Sequence, residues 1–253
     1  MAEYQIVPLL LAKVQSEKGA MTYLVGNGQP IVRPYVCWYV RAGAAHVLVD
    51  TAIEADDYRN YHPGFSHMPF ESVQTFDQAL AGVGVRPEEI DIVIQTHLHM
   101  DHMYNTPKCK NAKIYVQRAE LEFALAPHPI FEALFPRQMI EALNMEVIEG
   151  DREILPGIQA IFAPGHTPGC QAVAIDTAAG KAVITGGCSI LDNYFPPEDI
   201  KEKVSPFGTW PVTAPGIHTD LFQAFDSALR VKKIADIVIP MHDPELAKKT
   251  QIP

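Results

Sequence analysis

The sequence predicts an α/β protein in which two mixed β-sheets pack face to face with helices on the outside. Three observations lead there. Short apolar runs of strand length come in two batches along the chain, and each batch is accompanied by stretches with helical periodicity. Each sheet and helix must bury its apolar face, and a layered arrangement with the sheets inside does this for both batches. The chain has 253 residues, 47% hydrophobic and 20% charged, enough apolar material for a packed core. A single domain over residues 1–253 is the expected organisation.

The elements read as follows. Residues 35–40 and 47–49 alternate or run apolar like strands, and a turn through Gly43 makes them a hairpin. Residues 72–81 carry Phe76, Ala79 and Leu80 at helical spacing, with Ser72 as the expected N-cap. Ile92, Val93 and Ile94 form a short buried strand. Residues 112–117 read as a strand and 118–126 as a helix. A further helix is expected within 131–143, broken or kinked at Pro136. Strand signals follow at 145–148, 158–162, 172–175 and 182–184. Residues 219–234 give the clearest helix, with Leu221, Phe222, Phe225, Ala228 and Leu229 on one face, and 237–239 is the last strand. Residues 54–70 and 191–216 show little periodicity and are expected to be long loops, a length that usually serves to cover a site.

The formal net charge is −10, and no basic stripe is present, which disfavours a nucleic-acid partner. No stretch approaches the roughly 18 apolar residues of a membrane span. The N-terminus lacks the basic-then-apolar pattern of a signal peptide. The four cysteines, Cys37, Cys109, Cys170 and Cys188, make neither a CxxC nor a disulfide framework. A cytoplasmic protein is expected, acting on a small molecule, with a homodimer left open. Cys37 and Cys170 read as core residues and Cys109, between lysines, as exposed.

The chemistry is concentrated in Thr96-His97-Leu98-His99-Met100-Asp101-His102, directly after a buried strand. Three imidazoles and a carboxylate within six positions rarely arise from unrelated surface residues. In an extended or turning segment His97 and His99 project to the same side and can grip one cation. Asp101 and His102 then reach a second. The nitrogen-rich donor set suits a borderline ion such as zinc.

The spacing His97-x-His99-x-Asp101-His102 resembles the signature of the metallo-β-lactamase superfamily. That resemblance implies a four-layer αβ/βα sandwich with a dinuclear site at one edge. Pro164-Gly165-His166-Thr167-Pro168-Gly169 is similar to the turn that supplies the third ligand of the first metal. His242, after the last strand, resembles the final ligand of the second. Asp50-Thr51 resembles the family's Asp-Thr-Gly, with Ala52 in place of glycine, and implies a carboxylate that orients ligands. At Thr185-Gly186-Gly187-Cys188-Ser189 the usual metal-bridging Asp is absent, and Gly187 stands at its place. Gly-Gly-Cys is similar to class B1 metallo-β-lactamases, where a cysteine binds the second zinc, so Cys188 is expected as a ligand.

The resemblance, closest to the N-acyl-homoserine lactonase branch, implies two divalent ions, Zn²⁺ or else Mn²⁺ or Fe²⁺. They would be held by His97, His99 and His166 and by Asp101, His102 and His242 with Cys188. A hydroxide shared between them would open a lactone or related cyclic ester. Asp101 would steer the proton and Tyr194 would donate to the carbonyl. Tyr58, Tyr61, Phe65 and Phe70 are expected either to form a lipophilic lid for an acyl chain or to belong to a packed surface loop. The alternatives are hydrolysis of a β-lactam, another amide or a thioester, and, in a different class, a metal-binding protein with an impaired or regulatory site.

Overall fold

A computed structural model describes residues 4–197 and 210–253. In chain order the strands and helices are β1 (Ile6–Glu17), β2 (Pro30–Ala42), β3 (Ala45–Val49), α1 (Ala55–Tyr61), β4 (Phe70–Ser72), α2 (Phe76–Gly82), β5 (Ile92–Ile94) and α3 (Met100–Met103). There follow β6 (Lys113–Gln117), α4 (Arg118–Leu125), α5 (Arg137–Ala142), β7 (Met145–Ile148), β8 (Arg152–Leu155), β9 (Ile158–Phe162), β10 (Gln171–Thr177) and β11 (Gly180–Thr185). The last are α6 (Leu191–Tyr194), α7 (Leu221–Ile234) and β12 (Ile237–Pro240).

The strands make two mixed sheets. The first has seven strands in the order β4-β1-β2-β3-β5-β6-β7, and the second five in the order β12-β11-β10-β9-β8. In the first, β1, β2 and β3 are antiparallel neighbours, while β3, β5, β6 and β7 run parallel. In the second, only the β11–β12 pair is parallel.

Period-2 alternation sets the layers. Val47, Val49, Ile92 and Ile94 of the first sheet meet Ile158, Val173, Ile175 and Ile184 of the second in one buried cluster between the sheets. The intervening Leu48 and Val93 face outward, where Phe76, Ala79 and Leu80 of α2 cover them. On the far side Ala172, Ala174, Val183 and Val238 face outward to Ala228 and Val231 of α7. The order helix, sheet, sheet, helix is the expected four-layer sandwich.

Several expectations need correction. β1, twelve residues long, was not foreseen, and neither were the short strands β4 and β8. Ser72 ends β4 instead of capping a helix; α2 starts at Phe76, capped by Thr75 in a capping box with Gln78. The segment 54–70 is not a loop but carries α1, a 3-10 turn and the start of β4. Cys109 is buried, 2% exposed, because the 3-10 turn before it folds back onto the α2 side of the core. The loop expected at 191–216 opens with α6, and its residues 198–209 lie outside the described residues.

Candidate metal centre

The candidate ligands come from strand ends at one edge of the sandwich. His97, His99, Asp101 and His102 follow β5, His166 lies between β9 and β10, and His242 follows β12. All are buried. In sheets of this kind ligands sit beyond the carboxyl ends of parallel strands.

Hydrogen bonds fix which nitrogen is free in four of the five imidazoles, those of His97, His102, His166 and His242. The Thr96 hydroxyl donates to Asp50 Oδ2 (2.6 Å) and accepts from His97 Nδ1 (3.0 Å). His102 Nδ1 donates to Asp50 Oδ2 (2.7 Å), His166 Nδ1 to the Ile217 carbonyl (2.7 Å) and His242 Nδ1 to the Pro34 carbonyl (2.9 Å). Each of these bonds leaves Nε2 as a bare acceptor. His99 packs edge-on against Phe135 and presents Nδ1.

The bare nitrogens converge. His166 Nε2 is 3.2 Å from His97 Nε2 and 3.2 Å from His99 Nδ1. Lone pairs so close repel unless a cation lies among them. Nitrogens bound tetrahedrally to zinc at about 2.0–2.1 Å stand about 3.3 Å apart, so the trio matches such an ion. Beside it, Asp101 Oδ2 lies 3.7 Å from His102 Nε2 and 4.0 Å from His242 Nε2. His242 Nε2 is buried without a partner. The donor chemistry of both groups fits a divalent metal. The His97 and His102 rings are 3.9 Å apart, so the two groups adjoin.

The electrostatics agree. Burial, reinforced by neighbouring imidazoles, pushes His97 and His99 well below the usual histidine range. Burial lowers His166 to about 4 and His242 to about 3. These rings are neutral near pH 7 and free to ligate. His102 is the exception: burial lowers it, but Asp101 and Asp50 raise it further. Burial disfavours the Asp101 carboxylate, yet His102, His242 and Arg33 hold it ionised.

Asp50 is the organiser expected from Asp-Thr. It takes a left-handed backbone, φ +56°, which turns its carboxylate back to Thr96 N (2.7 Å), Thr96 Oγ1 and His102 Nδ1. Ala52, the next residue but one, is left-handed too, φ +51°. Gly165, φ +128°, has no room for a side chain: a Cβ would lie 2.1 Å from Ala224 N in α7. That close approach presses the His166 turn against the helix.

Two predicted site residues lie apart from the donors. Cys188 belongs to neither group; its Sγ is 3.8 Å from Arg33 Nη1, and burial pushes its thiol up to about 11. Tyr194 is packed in the outer layer of the second sheet with Ile161, Ala172 and Val183, and burial pushes its hydroxyl up to about 12. Tyr194 ends α6, which begins only three residues after Cys188.

Sequence reasoning also missed residues. Glu120 of α4 is fully buried and accepts from Leu98 N (2.8 Å), Thr167 Oγ1 (2.5 Å) and Gly169 N (3.2 Å). It ties the His97–His99 segment to the His166 turn. Arg33 and Tyr35 of β2 cluster beside Asp101 and His242, together with Tyr58 of α1, which the sequence offered only as a lid residue. An arginine leading the otherwise apolar-aromatic run of β2 was the available signal.

Comparison with known proteins supports the same kinship along the chain. The family model for the metallo-beta-lactamase superfamily matches residues 30–242. An N-acyl homoserine lactonase of Bacillus cereus is 29% identical over 249 residues, 93% of this chain and 92% of that protein. The lactonase AttM of Agrobacterium fabrum is 27% identical over 72% of this chain and 73% of its own length. A solved structure of N-acyl homoserine lactone hydrolase, with the product N-hexanoyl-L-homoserine at its catalytic metal center, has a TM-score of 0.73 and 27% identity. That match covers 98% of this chain and 96% of that one. The donors stand in the order and at the strand ends that the sequence motifs implied, within a match that spans most of the chain, and on both grounds the chain belongs to the metallo-beta-lactamase superfamily.

Proposed function

We propose that this protein is a metal-dependent hydrolase that opens a lactone or a related cyclic ester, built as one domain. The observation that carries the reading is the pair of adjoining buried donor groups, His97/His99/His166 and Asp101/His102/His242, whose bare nitrogens face one another. The likeness to lactonases along nearly the whole chain supports the ester bond as the target. Zinc suits the mix of five imidazoles and one carboxylate, and manganese or iron would use the same donors. Divalent ions bound there make water a nucleophile at neutral pH and polarise a carbonyl oxygen.

The chain's own residues set the rest. Asp50 and Thr96 lock the tautomers of His102 and His97. Glu120 holds the two ligand segments at fixed separation. Asp101, ionised and facing His102 and His242, takes the proton released by the attacking water and returns it to the ring oxygen as the ester bond breaks. Buried apolar walls on both sides keep the donors from reorganising. The four unpaired cysteines suit a reducing compartment, and the cytoplasm is the location we assign. No described helix is long and apolar enough to cross a membrane.

The test is a hydrolysis screen of the zinc-loaded protein on γ-lactones, N-acyl homoserine lactones, β-lactams and thioesters, followed by proton release. Lactone opening is expected at a kcat/KM at least a hundredfold above the other classes. Preference for a β-lactam or thioester, or no turnover of any, would overturn the reading.

A further inference from the structure

Arg33 carries a charge that the fold leaves without a counterion. It is 8% exposed, at the start of the row Arg33, Tyr35, Cys37, Tyr39 on the α1 side of β2. Its Nη2 donates to Tyr35 Oη at 2.5 Å and its Nη1 meets only the Cys188 sulfur at 3.8 Å. Its Nε has no partner. Among the described residues no carboxylate lies within ion-pair distance of it. Asp101, whose charge acts on it, is committed to His102 and His242. A guanidinium buried in this way is costly unless an anion meets it, and its planar fork suits a carboxylate.

The surroundings are arranged for such a guest. Tyr35 stands edge-on to His242, with ring centroids 5.9 Å apart, and beside Tyr58 at 5.2 Å. Tyr35 Oη accepts from Arg33 Nη2, so its own hydroxyl proton adds a donor beside the guanidinium. Tyr58 is fixed in turn by Phe70 and Phe65, so these aromatic residues pack as a wall beside Arg33 and Tyr35. Gly187 stands where the resemblance would place a bridging Asp, and offers no carboxylate. A side chain there would crowd the His166 ring, with its Cβ 2.9 Å from that of His166. The edge of the centre beside Cys188 is therefore short of negative charge from the chain itself.

The geometry points to a carboxylate-binding subsite formed by Arg33, Tyr35 and Tyr58 next to the Asp101/His242 end of the metal centre, so that the substrate is a lactone bearing a carboxylate. This deepens the lactone-hydrolase reading and rests on it for the reaction. Water adds across the ring C–O bond: its oxygen joins the acyl carbon, the ring oxygen leaves with a proton, and the product is a hydroxy-dicarboxylate. The substrate's own carboxylate stays intact and is held by Arg33.

The experiment compares 5-oxotetrahydrofuran-2-carboxylate with its neutral carboxamide on the zinc-loaded protein, in wild type, Arg33→Gln and Tyr58→Phe. Wild type is expected to favour the carboxylate at least thirtyfold in kcat/KM, mostly through KM. Arg33→Gln should bring the ratio near one, and Tyr58→Phe should lower it several-fold. A wild-type ratio near one, or a ratio unchanged in Arg33→Gln, overturns the subsite. Calorimetric binding of 2-hydroxyglutarate, the ring-opened product, gives a readout free of turnover. If neither lactone is opened but wild type binds this dicarboxylate at least thirtyfold tighter than Arg33→Gln at equal zinc content, the subsite stands and the hydrolase reading falls. Equal binding by the two overturns the subsite.

Discussion

Replacing Asp50 by Asn tests how the centre is organised, because the change removes one charge and almost no volume. The carboxylate accepts three bonds: Thr96 N at Oδ1, and Thr96 Oγ1 and His102 Nδ1 at Oδ2. An amide has one acceptor end. If its oxygen keeps Thr96 N, its NH₂ faces His102 Nδ1, which must then accept, and the ring proton moves to Nε2. That is the nitrogen turned to Asp101, so the metal has to displace a proton. If the amide flips, its NH₂ opposes the buried Thr96 N–H, leaving an unmade bond worth about 1–3 kcal/mol. The first arrangement predicts a loss of about 10–100-fold in affinity for the Asp101/His102/His242 metal. The second predicts a fall in stability, at about 2–4 °C of Tm per kcal/mol for a chain of this size. Competition with a chelator of known zinc affinity reads the first, and thermal unfolding reads the second. A variant that keeps both metals within twofold of wild-type affinity and the same Tm would refute the role given to Asp50.

Other consequences can be checked separately. Burial raises the Glu120 carboxyl to about 7 against an ordinary 4.5, opposed by its bonds from Thr167, Leu98 and Gly169. Between those values the unfolded chain has lost a proton that the folded chain keeps, so stability falls as pH rises through that window, by about 3 kcal/mol. Urea unfolding at pH 4.5 and 7.5 should show this decline in wild type and not in Glu120→Gln; parallel profiles would contradict it. Cys188→Ser is expected to retain both equivalents of zinc by elemental analysis, since the sulfur sits beside Arg33 and outside the donor groups; loss of one equivalent would show that it ligates. Gly165→Ala places a Cβ 2.1 Å from Ala224 N at a left-handed φ, and should destabilise by several kcal/mol or abolish soluble expression. Wild-type stability in that variant would mean that α7 yields freely.

Much of the fold and the ligand set was legible because both are written locally. β3, β5 and β10 alternate between the two faces cleanly, and the five histidines lie at strand ends in short motifs. β1 was hidden because its run contains Pro8 and its pairing with β2 is irregular between Leu10 and Ala12. The start of α2 was misplaced although Thr75-x-x-Gln78 spelled a capping box, since Ser72 offered a competing cap. Cys109 read as exposed from its lysine neighbours, but burial depends on the returning chain and not on sequence neighbours. Arg33 left a trace as the charge leading β2 and Tyr58 was read only as a lid residue, but their contacts, and those of Glu120, could not be read. They join residues from different elements, and no short-range pattern marks a meeting of that kind.

The central claim is that two adjoining donor groups hold the metals that open a lactone ring. It is tested most directly by stepwise zinc titration of metal-free protein while ring opening of a γ-lactone is followed. The account predicts that turnover appears with zinc and levels off at two equivalents, and that His166→Ala and His242→Ala each remove one equivalent and most of the rate. Full rate with no bound metal, or two tightly bound zinc ions with no ring opening of any lactone, would contradict it.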